Sequence, residues 1–309
     1  MSTISIATAN QFNNADILDG IQPSSLKLDQ FRQLLPCLRI HGPEVRLNTA
    51  VASSIETFAT HVSSTGVAVT SGLPAFGTRT GKLAHYAAIL EMDSIVPQKY
   101  GSRNRLLHHL IKLKVLAVLS AWQKHLVTGD SASTGQFDGL RKIAENGGNA
   151  FAAATWGGDA NKVNKGDLER LVGRLPSRSS ADSRYLVMHA SVLGHLAANH
   201  YSTQIRNRSH PLLGMVPVIS GIPVLLDSWI PTNEGAGADE TAVFAVSIGP
   251  PVGVVGLLPW AQARREVRVS RSDPQEGTDK DFYHITLDAG QFAFEQNAVV
   301  ALTNVKANT

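Results

Sequence analysis

The 309-residue chain contains one cysteine, Cys37, so no internal disulfide framework is available to it. A lone cysteine is no zinc site either, and it reads most simply as a small buried apolar residue in a reducing compartment. Charge is scarce: Asp, Glu, Lys and Arg supply 17% of residues, against roughly 25% in ordinary soluble domains. With 43% apolar residues, so little charge suits a surface that meets other protein as well as water. The net charge of +3 is mild, and no Lys or Arg run forms a nucleic-acid stripe. The densest basic groups are Arg103 and Arg105 with Lys112 and Lys114, Arg206 with Arg208, and Arg264 and Arg265 with Arg268. They read as solvated faces or inter-subunit ion pairs.

Long apolar runs are missing too. The longest, LIKLKVLAVLSAW at 110–122, carries two lysines and is too short to span a bilayer. The start, MSTISIATANQFNNADILDG, lacks a charged segment followed by an apolar one. The expectation is a soluble protein made in the cytosol.

Catalytic signatures are equally sparse. TGDSASTGQFDGL at 128–140 has glycines bounding a small-residue loop, but Gln136 and Phe137 follow Gly135 where a phosphate loop needs Lys and Ser/Thr. That loop also follows a helix, whereas phosphate loops follow a strand. GAGADE at 235–240 lacks the third glycine of a dinucleotide fingerprint. His189, His195 and His200 are spaced six and five apart, which does not stack them on one helix face. His108 and His109 are adjacent and point to different faces. No G-x-S-x-G elbow or HExxH occurs, and Asp279 and Asp281 sit in a turn-like polar stretch. No catalytic, metal-binding or cofactor-binding residue is assigned.

What is present is a series of elements in mixed order, an α+β pattern without regular βαβ alternation. Residues 1–44 are polar, with one amphipathic piece, SSLKLDQFRQLLPCL, and read as an arm with a short helix. Residues 45–82 are rich in Thr, Ser, Val and Gly and suggest a long, exposed two-stranded hairpin lacking a core of its own. Residues 83–98, beginning within KLAHYAAILEMDSIVP (82–97), read as a further strand. Ile111, Val115, Val118, Leu119, Trp122 and Leu126 share one face of a helix over 103–127, about 37 Å long. Leu106, Leu110 and Leu113 widen that face. DLERLVGRLPSR reads as a helix ended by Pro176, RYLVM as a strand leading into a helix, and VPVISGIPVLLDSWIP as two strands about Gly221. TAVFAVSIG, EVRVSRS and the stretch from Phe282 to Val305 supply later strands.

Four of these pieces, in this order, carry a resemblance: WQKHLVTGDSASTGQFDGL, RYLVMHASVLGHLAAN, SGIPVLLDSWIP with TAVFAVSIGPPVGVVGL, and FYHITLDAGQFAFEQNAVVALTNV. The chain resembles the HK97-type major capsid proteins of tailed bacteriophages over roughly residues 45–305. The resemblance implies an HK97-like α+β capsid fold. Its parts would be an N-terminal arm (1–44), an extended E-loop hairpin with adjoining strands (45–98) and the spine helix of a peripheral domain (99–130). An axial domain (131–257) and closing strands of the peripheral domain (258–309) would follow. It implies a structural protein without catalysis, assembling with copies of itself as pentamers and hexamers into an icosahedral head around double-stranded DNA. Implied partners are a separate scaffolding protein, a portal, a decoration protein and, through non-specific contact, the packaged DNA; no membrane is involved. The implied location is the virion, after assembly in the host cytoplasm. Gln123 and Lys124 depart from the family, which often places an acidic residue late in the spine helix. An encapsulin-like compartment shell shares the fold and is the alternative, followed by an enzyme with a dispersed site or a surface-binding module. In the joint 128–140, Gly129 is expected to stop the helix in a left-handed cap conformation. Asp130 and Ser131 are expected to satisfy loose donors there, with Phe137 and Leu140 as anchors.

Overall fold

The computed structural model describes residues 30–50, 76–93, 103–153, 163–198, 205–234, 239–260, 267–272 and 280–306. Two β-sheets and one long helix organise the chain. In the first sheet the strand order is β1 (Cys37–Ile40), β10 (Val254–Pro259), β12 (Lys280–Ala293), β3 (Phe76–Asp93), β2 (Glu44–Ala50). β11 (Arg268–Ser272) pairs with β12 off this path. β1 runs parallel to β10, and the other neighbours are antiparallel. β12 alternates over its first part: Asp281, Tyr283, Ile285, Leu287 and Ala289 are buried while Phe282, His284, Thr286 and Asp288 between them are half-exposed. That period of two places one sheet face on the long helix α2 (Arg103–Thr128). α2 ends one residue beyond the expected 127, with Leu110, Val118, Trp122 and Leu126 buried along the expected stripe, whereas Leu113, expected to widen it, is half-buried and joins none of the apolar clusters.

The second sheet has seven strands in the order β4 (Ala150–Ala152), β13 (Val299–Lys306), β9 (Glu240–Ser247), β5 (Arg184–Met188), β8 (Ile222–Leu226), β7 (Gly214–Ile219), β6 (Ile205–His210). Its central strands are buried on both faces, so they read as continuous apolar runs. On one face lie α4 (Lys165–Gly173) and α5 (Ala190–Leu196), which bury Leu168, Leu171, Val192 and Leu196 against Leu186, Val243 and Val300. Asn164 caps α4 in a reciprocal pair with Asp167: the Asp167 amide donates to Asn164 Oδ1 (2.9 Å), and the Asn164 amide donates to Asp167 Oδ2 (3.1 Å). The opposite face shares one apolar cluster with the first sheet, α2 and α3 (Leu140–Asn146).

Three expectations change. Residues 30–44 are no arm: α1 (Gln30–Leu34) buries Phe31, Leu35 behind it is equally buried, and β1 pairs along β10. Gln30 Oε1 also accepts from the Leu226 amide (2.9 Å), tying α1 to the second sheet. The four-residue spacing of Phe31 and Leu35 puts both on one face, and that face fills the gap between the sheets. The closing segment 258–309 is divided, because β13 inserts between β4 and β9 instead of joining β12. The apolar run Ala298–Leu302 is entirely buried, which only an interior strand position satisfies. Residues 83–93 are not a separate strand but continue the hairpin strand β3.

Candidate functional site

The joint after α2 is built from its own hydrogen bonds. Gly129 N–H donates to His125 O (3.0 Å), closing the helix, and Gly139 N–H returns to Gly129 O (2.9 Å). The amides of Asp130, Ser131 and Ala132 donate to Gln136 Oε1 (3.2 Å), Asp138 Oδ1 (2.9 Å) and Asp130 Oδ1 (2.9 Å). These are the donors an anion would need, and the Gln136 carboxamide and two carboxylates already hold them. The Ala132 amide first, and Lys142 beside it, hold the Asp130 carboxyl below the usual carboxylate range. The same contact raises Lys142, 3.2 Å away. Such a loop repels a phosphate.

Phe137 and Leu140 are fully buried, as anchors should be. The Gly129 expectation is corrected: the left-handed glycine of this loop is Gly135, at φ 76°, and Gly129 is not in that region. Gly129 is required by contact instead, since a Cβ there would lie 2.6 Å from His125 O and still closer to Phe137 O. The helix end and the loop's return strand touch backbone to backbone, and only hydrogen fits between them.

One turn before the joint, His125 Nδ1 meets Tyr86 Oη (2.8 Å), linking α2 to β3. Burial, then neighbouring Lys124, depresses the His125 pKa, and burial pushes the Tyr86 hydroxyl well above its usual range. Both groups are therefore neutral at pH 7, with the phenol free to donate to the imidazole. A folded pKa below 6.5 means that the unfolded chain binds more protons as the pH falls through that value. Stability from this site is thus complete above about pH 6.5 and declines below it. Guanidinium unfolding at pH 7.5 and 5.5 is expected to show a larger acid loss for the unaltered chain than for His125→Gln; equal losses would remove His125 as the cause.

The hairpin is rooted in a small apolar cluster of Ile40, Val255, Leu257 and Phe292 with Val45, Leu47 and Leu83 packed on it. β2 pairs with β3 from Glu44 opposite Lys82 to Ala50 opposite Phe76. Phe292 and Leu257 fill the space that a Cβ on Gly81 would occupy, at 2.8 and 2.9 Å. Arg79 donates to Phe294 O (3.2 Å) across the root; burial lowers its pKa, and Glu295 opposes that effect. On its other side β2 has no strand partner among the described residues. Residues 51–75, the rest of the expected hairpin, lie outside the described residues.

The remaining candidates disperse. His189 caps α5, its Nδ1 accepting from the Ser191 amide (3.2 Å), while His195 lies in the last turn of that helix and His200 is outside the described residues. His108 is exposed and His109 half-buried. Asp281 is buried and paired with Arg271 (2.6 Å), and Asp279 is outside the described residues. Cys37 is half-buried in β1, with Sγ 3.7 Å from Leu35 O. Among the described residues no three His, Cys, Asp or Glu side chains converge. Glu234 and Glu240 exchange backbone hydrogen bonds (2.9 and 3.0 Å), which pinches the base of the GAGADE loop. The Tyr86–His125 link and the rooting of the hairpin had no motif to announce them.

Solved structures resemble the chain over nearly its whole length. The SrpI encapsulin of Synechococcus elongatus PCC 7942 superposes with a TM-score of 0.69 at 15% identity, covering 99% of this chain and 97% of that one. The capsid of the native GTA particle gives 0.65 at 15% identity, over 93% and 92%. The capsid of cyanophage P-SCSP1u gives 0.60 at 12% identity, over 92% and 89%. No family model and no curated protein matches the sequence. The architecture of this α+β chain is the HK97-type capsid fold.

Proposed function

We propose that this chain is a shell-forming subunit, and specifically the major capsid protein of a tailed phage that encloses double-stranded DNA. The observation that carries the reading is the rooted hairpin. β2 leaves one edge unpaired among the described residues and leads, with β3, into a segment of 25 residues between Ala50 and Phe76. An edge strand open to pairing is ordinarily blunted or covered, and a neighbouring copy of the same chain is a cover that repeats. Closed symmetry then multiplies modest contacts into a stable shell. On this reading the first sheet with α2 forms the peripheral domain and the second sheet with α4 and α5 the axial domain. Scaffolding protein, portal and decoration protein are the further partners, and packaged DNA is held without dedicated phosphate sites.

The test replaces residues 51–75 by Asn-Gly, joining Ala50 to Phe76 through a two-residue turn that suits antiparallel strands. The protein is expected to stay folded by circular dichroism and to form no shells under electron microscopy. Shells of normal size from this variant would overturn the reading. An encapsulin-like compartment is the second reading, supported by the 0.69 superposition on the SrpI encapsulin. Particles purified from the source cell separate the two: nuclease-protected DNA supports the capsid, and protein cargo without DNA supports the compartment.

A further inference from the structure

β6 ends the seven-stranded sheet, and no strand pairs with its outer edge among the described residues. Its inner neighbour β7 joins β8 only at Val218 and Ile219, so most of the β6–β7 hairpin overhangs the sheet. The overhang is held in place all the same. Leu213 and Val216 pack into the apolar cluster common to both sheets, and Val216 is buried there. His210 Nδ1 accepts from the Leu212 amide (3.3 Å), and its Nε2 lies 3.4 Å from Tyr185 Oη. A free edge fixed in this way is a template for pairing, because alternate residues turn their N–H and C=O groups outward.

The side chains along that edge differ by face. Arg206 stands opposite Val218 and Arg208 opposite Val216, so the two arginines share one face of the hairpin. Asn207 and Ser209 share the other face with Pro217 and Met215. Arg206, Asn207, Arg208 and Ser209 are all exposed. Met215 is 65% exposed and Leu212, in the turn, 69%; they are two of the four exposed large apolar side chains among the described residues. Neither arginine has a carboxylate partner among the described residues, whereas Arg46, Arg141 and Arg271 are each paired. Charges on an edge strand guard it against pairing with its own kind. That guard accounts for the arginines but not for Met215 and Leu212.

We propose that β6 accepts an added strand from an acidic partner protein, with carboxylates at alternate positions facing Arg206 and Arg208 and apolar residues between them on the Met215 side. A strand sends successive side chains to opposite faces, so one extended segment answers both faces while its backbone pairs with the edge. A second copy of this chain fits less well. The arginines repel another β6, and the other edge strands β1, β2, β4 and β11 read CLRI, EVRLNTA, AFA and RVSRS, without two acids at alternate positions. Duplex DNA would neutralise the arginines, but it offers no strand to the edge and nothing to cover Met215. The inference goes beyond the shell reading and stands on this hairpin alone.

The test uses the full chain and a labelled peptide as long as β6, with glutamate and valine alternating. Fluorescence anisotropy should show saturable binding that weakens with salt, and hydrogen exchange should show new protection within 205–210. Arg206→Glu with Arg208→Glu should weaken binding roughly tenfold and gain binding to the same peptide with lysines in place of glutamates. Met215→Ser should weaken both. Of two peptides N-methylated at every valine or at every glutamate, one should lose binding, since methylation removes strand hydrogen bonds and keeps the side chains. Undiminished binding by both methylated peptides, or by a peptide with its glutamates and valines in separate blocks, would overturn the proposal. So would protection confined to other segments, or duplex DNA that binds through the same arginines while the peptide does not. Protection of 205–210 that rises with protein concentration in the absence of peptide would assign the edge to a second copy and overturn it as well. If the charge-reversed variant fails to fold by circular dichroism, Arg206→Gln with Arg208→Gln is scored for weaker binding in its place. Shell assembly is scored separately by electron microscopy, so loss of assembly and loss of peptide binding are told apart.

Discussion

Gly139→Ala is expected to destabilise the protein by about 3 kcal/mol, at the upper end for overpacking. Gly139 has φ −79° and ψ 178°, a backbone that any residue can adopt, so the cost is not conformational. It is steric: the added carbon would lie 2.6 Å from His125 O and 2.7 Å from both Gly129 N and Val127 O. All three are backbone atoms of the helix end and its first loop residue, so none can swing away as a side chain would. The hydrogen bond from Gly139 N–H to Gly129 O would open with them. Gly135→Ala is the control within the same loop. It sits at φ 76° with nothing near its missing Cβ, so its cost is only the left-handed backbone, about 1 kcal/mol. Guanidinium unfolding midpoints of the two variants should therefore separate clearly, and equal midpoints would refute the contact argument.

Trp122→Ala should cost about 3–5 kcal/mol, the range for losing a fully buried large aromatic. Trp122 is entirely inaccessible and is among the largest fully buried side chains. It joins three parts of the fold: it lies on α2, packs in the cluster common to both sheets, and has the Arg32 guanidinium from α1 5.2 Å from its ring centroid. Its removal loosens the helix from both sheets at once. Trp122→Phe should cost much less, about 1–2 kcal/mol, because an aromatic ring still fills most of the space. The indole N–H has no hydrogen-bond partner among the described residues, so losing it removes a desolvated donor. Chemical unfolding followed by far-ultraviolet circular dichroism measures both, and a mild Trp122→Ala would mean that the cluster collapses around the gap.

Much of this architecture was legible because its period was clean. α2 carries a repeating apolar face from Leu107 to Leu126, and β12 alternates buried and half-buried residues from Asp281 to Ala289. RYLVM and TAVFAVS are short apolar runs bounded by turns, and both became interior strands. The first elements were harder. Polar residues lead up to α1, and CLRI is too short to show a period, so the segment looked like an arm until Phe31 and Leu35 were seen buried. β10 was hidden by its glycine. Gly256 looks like a turn residue in sequence, yet it is a strand residue whose Cβ would stand 2.7 Å from Cys37 Sγ. Gly129 shows the same limit at the joint: letters alone do not distinguish a glycine needed for its dihedral angles from one needed for its thinness. The joint's anchors Phe137 and Leu140 could be read because burial follows from side-chain type, whereas the Tyr86–His125 link depends on two residues 39 positions apart.

The placement of β13 has a consequence in time. Residues 299–306 fill an interior position of the second sheet, between β4 and β9, although they are the last described part of the chain to be made. Until they leave the ribosome, β9 has an empty flank and the sheet lacks one of its inner members. β10 and β12, made between β9 and β13, belong to the other sheet, so the chain must visit that layer and return before either is complete. Pairings of this kind close late and slowly, because distant segments must meet before they gain anything from contact. A subunit built in this order cannot present a finished surface to its neighbours while it is still being synthesised.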